Sequence, residues 1–441
     1  MKRLNPNLII RTLLLASLLL AGIVLTGCSL FDGSADLPLP EETKEGTTTT
    51  SQPDSSAEAP LETPTPGSIR LKIWVPPHFS PAPDAPTAVL LQERLAEFER
   101  QNPGVSIEVR VKAEEGPSGL LDALTTTSAA APLALPDLVA LPHRILHEAA
   151  SQELIYPFDE LTDSMSEDDW YDYARELSQL QNSLYGLPFA GDVQLLTYRP
   201  VSIESPPQDW EAALESPGPM AFPAADPLAL FTLAQYQALG GEVLDEQGRP
   251  YLDQAQLTEV LNFYQQANEQ GLFPLWLTQL QSDQQAWDAF DERRSDMVVS
   301  CSTRYLEQGM AGMDVAPVLT ADSSLSTVAT GWVWALAAAN SEHHELSVRL
   351  AEHLSEAQFL AEWTRSVGYL PPRPSALELW IGTRMRSRFD LISQTAQILP
   401  PVDILAVLGP ILEKATVDVI KQQSDPASAA QAAIAALQQP Q

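Results

Sequence analysis

Leu71-Lys72-Ile73-Trp74-Val75, followed at once by Pro76-Pro77, is the stretch on which the fold turns. Leu71, Ile73 and Val75 alternate with Lys72 and Trp74, the period of a strand with one apolar face, and the two prolines stop it. Beyond it, Leu91, Leu95 and Phe98 recur at helical spacing among Glu93, Arg94, Glu97 and Arg100 until Asn102-Pro103-Gly104. Val105, Ile107, Val109 and Val111 alternate again as a second strand. A second helix is expected over 118–130, and Pro136-Asp137-Leu138-Val139-Ala140-Leu141 is a third strand ending at Pro142-His143. This βαβαβ order predicts an α/β fold with a parallel sheet and helices on both faces. Ligands of such sheets bind outside the carboxyl ends of the strands, where His78 and His143 stand.

Further along, Leu184 to Arg199 reads LYGLPFAGDVQLLTYR. Pro188 and Gly191 interrupt it, so the pattern predicts two short extended pieces joined by a bend, with Asp192 at the bend. A carboxylate there either faces a cleft or caps the turn. Pro206-Pro207-Gln208-Asp209-Trp210 is a turn opening a helix, and helices are expected over 228–239 and 257–270. Asp296 to Cys301 reads as a buried strand with the polar exit Ser302-Thr303-Arg304-Tyr305. Thr330 to Leu336 is another strand, which puts Trp332 and Trp334 on one face. One helix is expected over 346–361, then a turn at Val367-Gly368-Tyr369-Leu370-Pro371-Pro372, then two or three closing helices.

The 441 residues give room for two or three domains and a sizeable core. The net charge is −33, and the first 27 residues hold three cations and no acid, so the rest is more acidic still. Such a surface repels phosphate backbones and anionic headgroups, which argues against nucleic acid as a partner. Lys2, Arg3 and Arg11 precede an apolar run over 13–25 that is too short for a confident membrane span, the pattern of an export signal. Residues 28–67, rich in Thr, Pro, Ser and acids, cannot bury enough surface to order themselves and predict a flexible stalk. Cys301 is the one cysteine besides Cys28 and lies in an apolar run, as a small core residue would. The sequence contains no G-x-S-x-G, H-E-x-x-H or G-x-x-x-x-G-K-[ST] motif; Ser118 lies in GPSG, and His343-His344-Glu345 lacks the i, i+4 pair of a helical zinc site.

Leu25-Thr26-Gly27-Cys28 resembles a bacterial lipobox, which implies cleavage before Cys28, lipidation of its thiol and a membrane tether outside the cytoplasm. LKIWVP, LAEFERQNPGVSIEV, PDLVAL, YGLPFAGDVQLLTY, PPQDW, ALGGEVLDEQGRP, FDERRSDMVVS and SVGYLPPRPSA, in that order over residues 69–438, resemble the family 1 extracellular solute-binding proteins of ABC importers, the group of maltodextrin- and glycerol-phosphate-binding lipoproteins. The resemblance implies a type II periplasmic-binding-protein-like clamshell of two α/β lobes, here 68–191 with 327–375 and 192–326 with 376–441, joined by hinge crossings. It implies no catalysis, metal or cofactor. The expected partners are a small solute, a sugar first, and permease subunits with a separate ATPase; the protein itself is expected as a monomer. Carried onto this sequence, the family's ligand positions fall at Asp192, loosely at Asp226, and at Thr303, Arg304 and Tyr305, where relatives often have Gly-x-Trp. Trp332, Trp334, Tyr369 and His78 complete the expected ligand-binding set. Apolar faces of a pyranose pack on aromatic rings while carboxylates accept bonds from its hydroxyls, which is why these residue types suit sugar. Trp276 and Trp287 fit core or rim. A polyamine, suggested by Asp192, Asp226 and the rings, is the alternative ligand, and an exported glycoside hydrolase is the alternative class.

Overall fold

The computed structural model describes residues 68–80, 86–309, 311–380 and 382–438. The export signal, Cys28 and the stalk lie outside the described residues. Three strands, β1 (Ile69–Val75), β2 (Val105–Val111) and β3 (Leu138–Pro142), pair in parallel with β1 in the middle, joined by helices Pro86–Gln101 and Leu120–Ala130. The expected βαβαβ unit is therefore present. Its apolar faces are covered: Leu71, Ile73, Val75, Leu138, Val139 and Leu141 are all buried.

A small hairpin of β4 (Gln179–Leu180) and β5 (Ser183–Leu184) leads into β6 (Leu187–Tyr198). This is one continuous strand of 12 residues, and the bend expected around Asp192 does not exist. Pro188 is accommodated because the register against the antiparallel partner strand slips: Ala190 faces Trp332, Pro188 faces Val333, and Phe189 is the extra residue of a bulge. Gly191 is there for space rather than for a turn, since a Cβ on it would stand 2.1 Å from the Tyr173 hydroxyl oxygen. β7 (Met220–Ala221), β8 (Met297–Cys301) and β9 (Asp314–Ala316) follow, then β10 (Thr327–Leu336) and β11 (Ala396–Ile398).

The sheet runs β2-β1-β3-β10-β6-β8-β7, with β11 on β10 and β9 on β6. β10 enters antiparallel to both β3 and β6, which makes the sheet mixed rather than wholly parallel. β6 changes partners along its length: Leu187 to Val193 pair with β10, whereas Gln194 to Tyr198 pair with β8. One strand thus joins the sheet's two ends. Gly331 of β10 meets β6 closely; a Cβ there would lie 2.5 Å from the Ala190 carbonyl oxygen and 2.7 Å from a Leu177 methyl. Gly331→Ala should therefore destabilise the protein by about 2 kcal/mol, as overpacking against an immovable backbone does. Urea unfolding would measure it, and an unchanged midpoint would mean that the strands spread at no cost.

The polar exit of β8 is the helix Ser302–Gln308. The helix expected over 346–361 is two, His344–Leu354 and Ala357–Val367, broken at Ser355-Glu356. Four helices rather than two or three close the chain: Pro374–Glu378, Thr383–Gln394, Val402–Ile420 and Pro426–Leu437. Arg199 is buried over the Phe290 ring at 3.5 Å and donates to the Ser295 carbonyl, a structural role. Among the described residues no helix is long and apolar enough to cross a membrane.

Candidate functional site

Asp192 projects from β6 where that strand changes partners. Its Oδ1 accepts hydrogen bonds from the Ser302 hydroxyl (2.7 Å) and the Thr303 N–H (3.0 Å), and its Oδ2 accepts one from the Thr303 hydroxyl (2.9 Å). The carboxylate thus fastens β6 to the start of the helix after β8. Burial pushes its pKa up, the Ser302 and Thr303 bonds pull it down, and Glu307 adds to the rise.

Tyr369 reaches the same place through its backbone. Leu370 exchanges both main-chain bonds with Gly191, N–H to carbonyl at 2.7 and 2.9 Å, so the 367–370 turn docks on β6 beside Asp192. Gly368 makes that turn in the left-handed region at φ 76°. The Tyr369 ring lies 6.0 Å from His78, nearly parallel to it, and His78 in turn meets Trp332 edge-on at 5.0 Å. Phe79 backs all three. Desolvation among these rings lowers the His78 pKa, with Glu114 opposing, and desolvation followed by the charge of Asp192 raises that of the Tyr369 phenol. His78, Trp332, Tyr369, Asp192 and Thr303 therefore form one wall of rings beside one set of polar groups.

Other expected residues stand apart from that wall. Trp334 is fully buried, its ring stacked on Phe189 at 4.4 Å, and Tyr305 is fully buried with its hydroxyl toward Met385 and its ring edge-on to Phe389. Both rings are packed among core side chains. His143 is likewise buried, its Nδ1 3.0 Å from the Leu177 carbonyl oxygen. Trp287 is in the core, and Trp276 lies under the Arg294 guanidinium at 4.1 Å. Asp226 accepts from the Leu228 and Leu230 N–H groups at 3.0 and 3.1 Å and so shapes the entry to helix Leu230–Ala238, as a turn-capping residue does. Arg304 is held between Asp283 (3.4 Å) and Glu307 (3.1 Å).

Asp283 went unnoticed in the sequence. It begins helix Asp283–Asp291, and its Oδ1 accepts from the Cys301 N–H at 3.2 Å, at the end of β8. Its pKa is pushed up to about 6 by burial and by the charge of Asp192, against Arg304. Ser282 caps that helix, but nothing in the local sequence shows the proximity of Asp283 to Asp192. Because the folded-state pKa stands above the unfolded one, the penalty for ionising Asp283 is absent at low pH and grows as pH rises through about 6. Asp283→Asn should therefore be more stable than the parent at neutral pH by about 1 kcal/mol, discounted because 30% of the side chain is exposed, and equal to it in acid. Parallel denaturation curves across that range would show the difference closing; a constant offset would rule this out.

A cavity of about 790 Å³ between Asp245, Arg249, Tyr251, Val407 and Ile434 shares none of these residues. Among the described residues, no three His, Cys, Asp or Glu side chains are placed to hold a metal ion.

Residues 93–382 match the family model of the bacterial extracellular solute-binding proteins, and the chain belongs to that family. Its members work outside the cytoplasm. No curated protein matches the chain in sequence. Among solved structures, the sugar-binding protein MalE of the phytopathogen Xanthomonas citri is 20% identical with a TM-score of 0.69, over 83% of this chain and 96% of that one. A cyclo/maltodextrin-binding protein complexed with maltotetraose is 20% identical with a TM-score of 0.68 over the same shares. The GacH receptor of Streptomyces glaucescens is 17% identical with a TM-score of 0.61, over 84% of this chain and 97% of that one. At such identities the likeness is one of fold, the mixed α/β fold of type II periplasmic-binding-protein-like receptors.

Proposed function

We propose that this protein is the lipid-anchored receptor of an ABC importer, a monomer that captures a carbohydrate between two lobes and delivers it to a membrane permease driven by a separate ATPase. The observation that carries the reading is the convergence of His78, Trp332 and Tyr369 with Asp192 and Thr303, rings beside acceptors, where β6 changes partners. Such a pairing fits a pyranose, whose apolar faces pack on rings while its hydroxyls donate to carboxylates. The similar structures, a maltotetraose complex, an acarbose receptor and a sugar-binding protein, support the same class. Cys28 carries the lipid, and 28–67 is the stalk that sets the receptor off the membrane. Lobes of 68–191 with 327–375 and 192–326 with 376–441 close about β6 and β10, and ligand shifts the open and closed populations.

A thermal-shift screen of the full chain in detergent against mono- and disaccharides, polyols, polyamines and glycerol phosphates tests this. A sugar at about 100 times its dissociation constant should stabilise the fold by roughly 2.7 kcal/mol. Stabilisation by phosphate esters alone, or by nothing in the panel, would overturn the carbohydrate reading.

A further inference from the structure

The polar groups around Asp192 are unbalanced. Three donors reach Asp192, leaving one of its four acceptor positions open, and Asp283 receives two. Arg304 is the cation among them, and Asp283 and Glu307 already engage it. The remaining member is Gln194, two residues beyond Asp192 and so on the same face of β6. Gln194 is 7% exposed, and its Oε1 is buried without a donor. Directly across from it on β8 stands Cys301, whose N–H turns away to Asp283. The two side chains therefore share one face, where the Cys301 thiol feels the charges of Asp192, Asp283 and Asp226. A buried acceptor beside part-filled carboxylates is a place where a donor from outside gains a hydrogen bond without displacing one.

We propose that the ligand carries a protonated amine, as an amino-substituted carbohydrate does, with its ammonium group received among Asp192, Asp283 and Gln194 and its ring against Trp332 and Tyr369. The proposal rests on the carbohydrate-capture reading and narrows it. An ammonium group brings three donors and a positive charge to a place with surplus acceptors and negative charge, whereas a neutral hydroxyl brings one donor and no charge. The acid excess also disfavours phosphorylated or carboxylated sugars.

Isothermal titration of the full chain in detergent near neutral pH compares glucosamine and its β-1,4 dimer with glucose, cellobiose and N-acetylglucosamine. Amines are expected to bind at least tenfold more tightly than their neutral counterparts, with an affinity that falls as salt is raised. Asp283→Asn should reduce that preference about tenfold, and Gln194→Leu should weaken amine binding while the melting temperature reports that each variant is folded. Neutral sugars binding as tightly as the amines would overturn the proposal and leave carbohydrate capture intact. Failure of every sugar, charged or neutral, would overturn both.

Discussion

Truncating Trp334 to alanine is expected to cost the fold about 3–5 kcal/mol, the range for removing a fully buried large aromatic side chain. Its ring stacks on Phe189, the bulge residue that lets Pro188 sit inside β6, so the loss falls where β10 and β6 meet. Trp332, two residues away on the same strand, should behave differently. It packs against His78 and Phe79 and is itself buried at 5% exposure, so its alanine variant should lose stability as well and, unlike Trp334→Ala, should also lose ligand capture. Urea unfolding of both variants, alongside sugar titration, separates the two tryptophans. If Trp334→Ala unfolds like the parent, the assignment of that ring to the core is wrong.

Asp192→Ala should affect both properties at once. It removes the acceptor of the Ser302 hydroxyl and of the Thr303 N–H and hydroxyl, leaving the Val193 N–H bond to the Ser302 hydroxyl between that helix start and β6. Charge-assisted bonds are worth more than neutral ones, but the carboxylate's own burial opposes them, so the net stability loss should be about 2 kcal/mol. Sugar affinity should fall by about a hundredfold, equivalent to roughly 2.7 kcal/mol, because one acceptor and the position of Thr303 are lost together. Asn at the same position keeps the shape and one acceptor oxygen, so it should recover much of the stability. Calorimetric titration of both variants reads the effect; an Asp192→Ala protein with parental affinity would remove Asp192 from the site.

The N-terminal unit was legible because β1 and β2 alternate, β3 is a short apolar run, and each helix ends at a Pro-Gly or Pro signal; the three strands appear where the pattern put them. β6 was misread because Pro188 and Gly191 are breakers by local chemistry. Their tolerance comes from a register slip against β10 and from the Tyr173 hydroxyl pressing on Gly191, neither of which is encoded nearby in sequence. Thr303 and Tyr305 were both expected at the ligand from the polar exit of β8. The exit is helical, so two residues turn the side chain through about 200°, and Tyr305 enters the core while Thr303 meets Asp192. Alternation correctly placed Trp332 and Trp334 in the same strand but could not tell which end His78 would cover. Asp283 was invisible for another reason: its partner N–H belongs to Cys301, 18 residues on, and its charged neighbour Asp192 belongs to another strand altogether.

Small-angle X-ray scattering of the full protein, with and without a saturating sugar found in the thermal screen, addresses the central claim most directly. If the two lobes close on a ligand held at the rings and Asp192, the radius of gyration should fall on binding, and Trp332→Ala should abolish the fall at the same sugar concentration. A sugar that binds with no contraction would contradict capture between moving lobes.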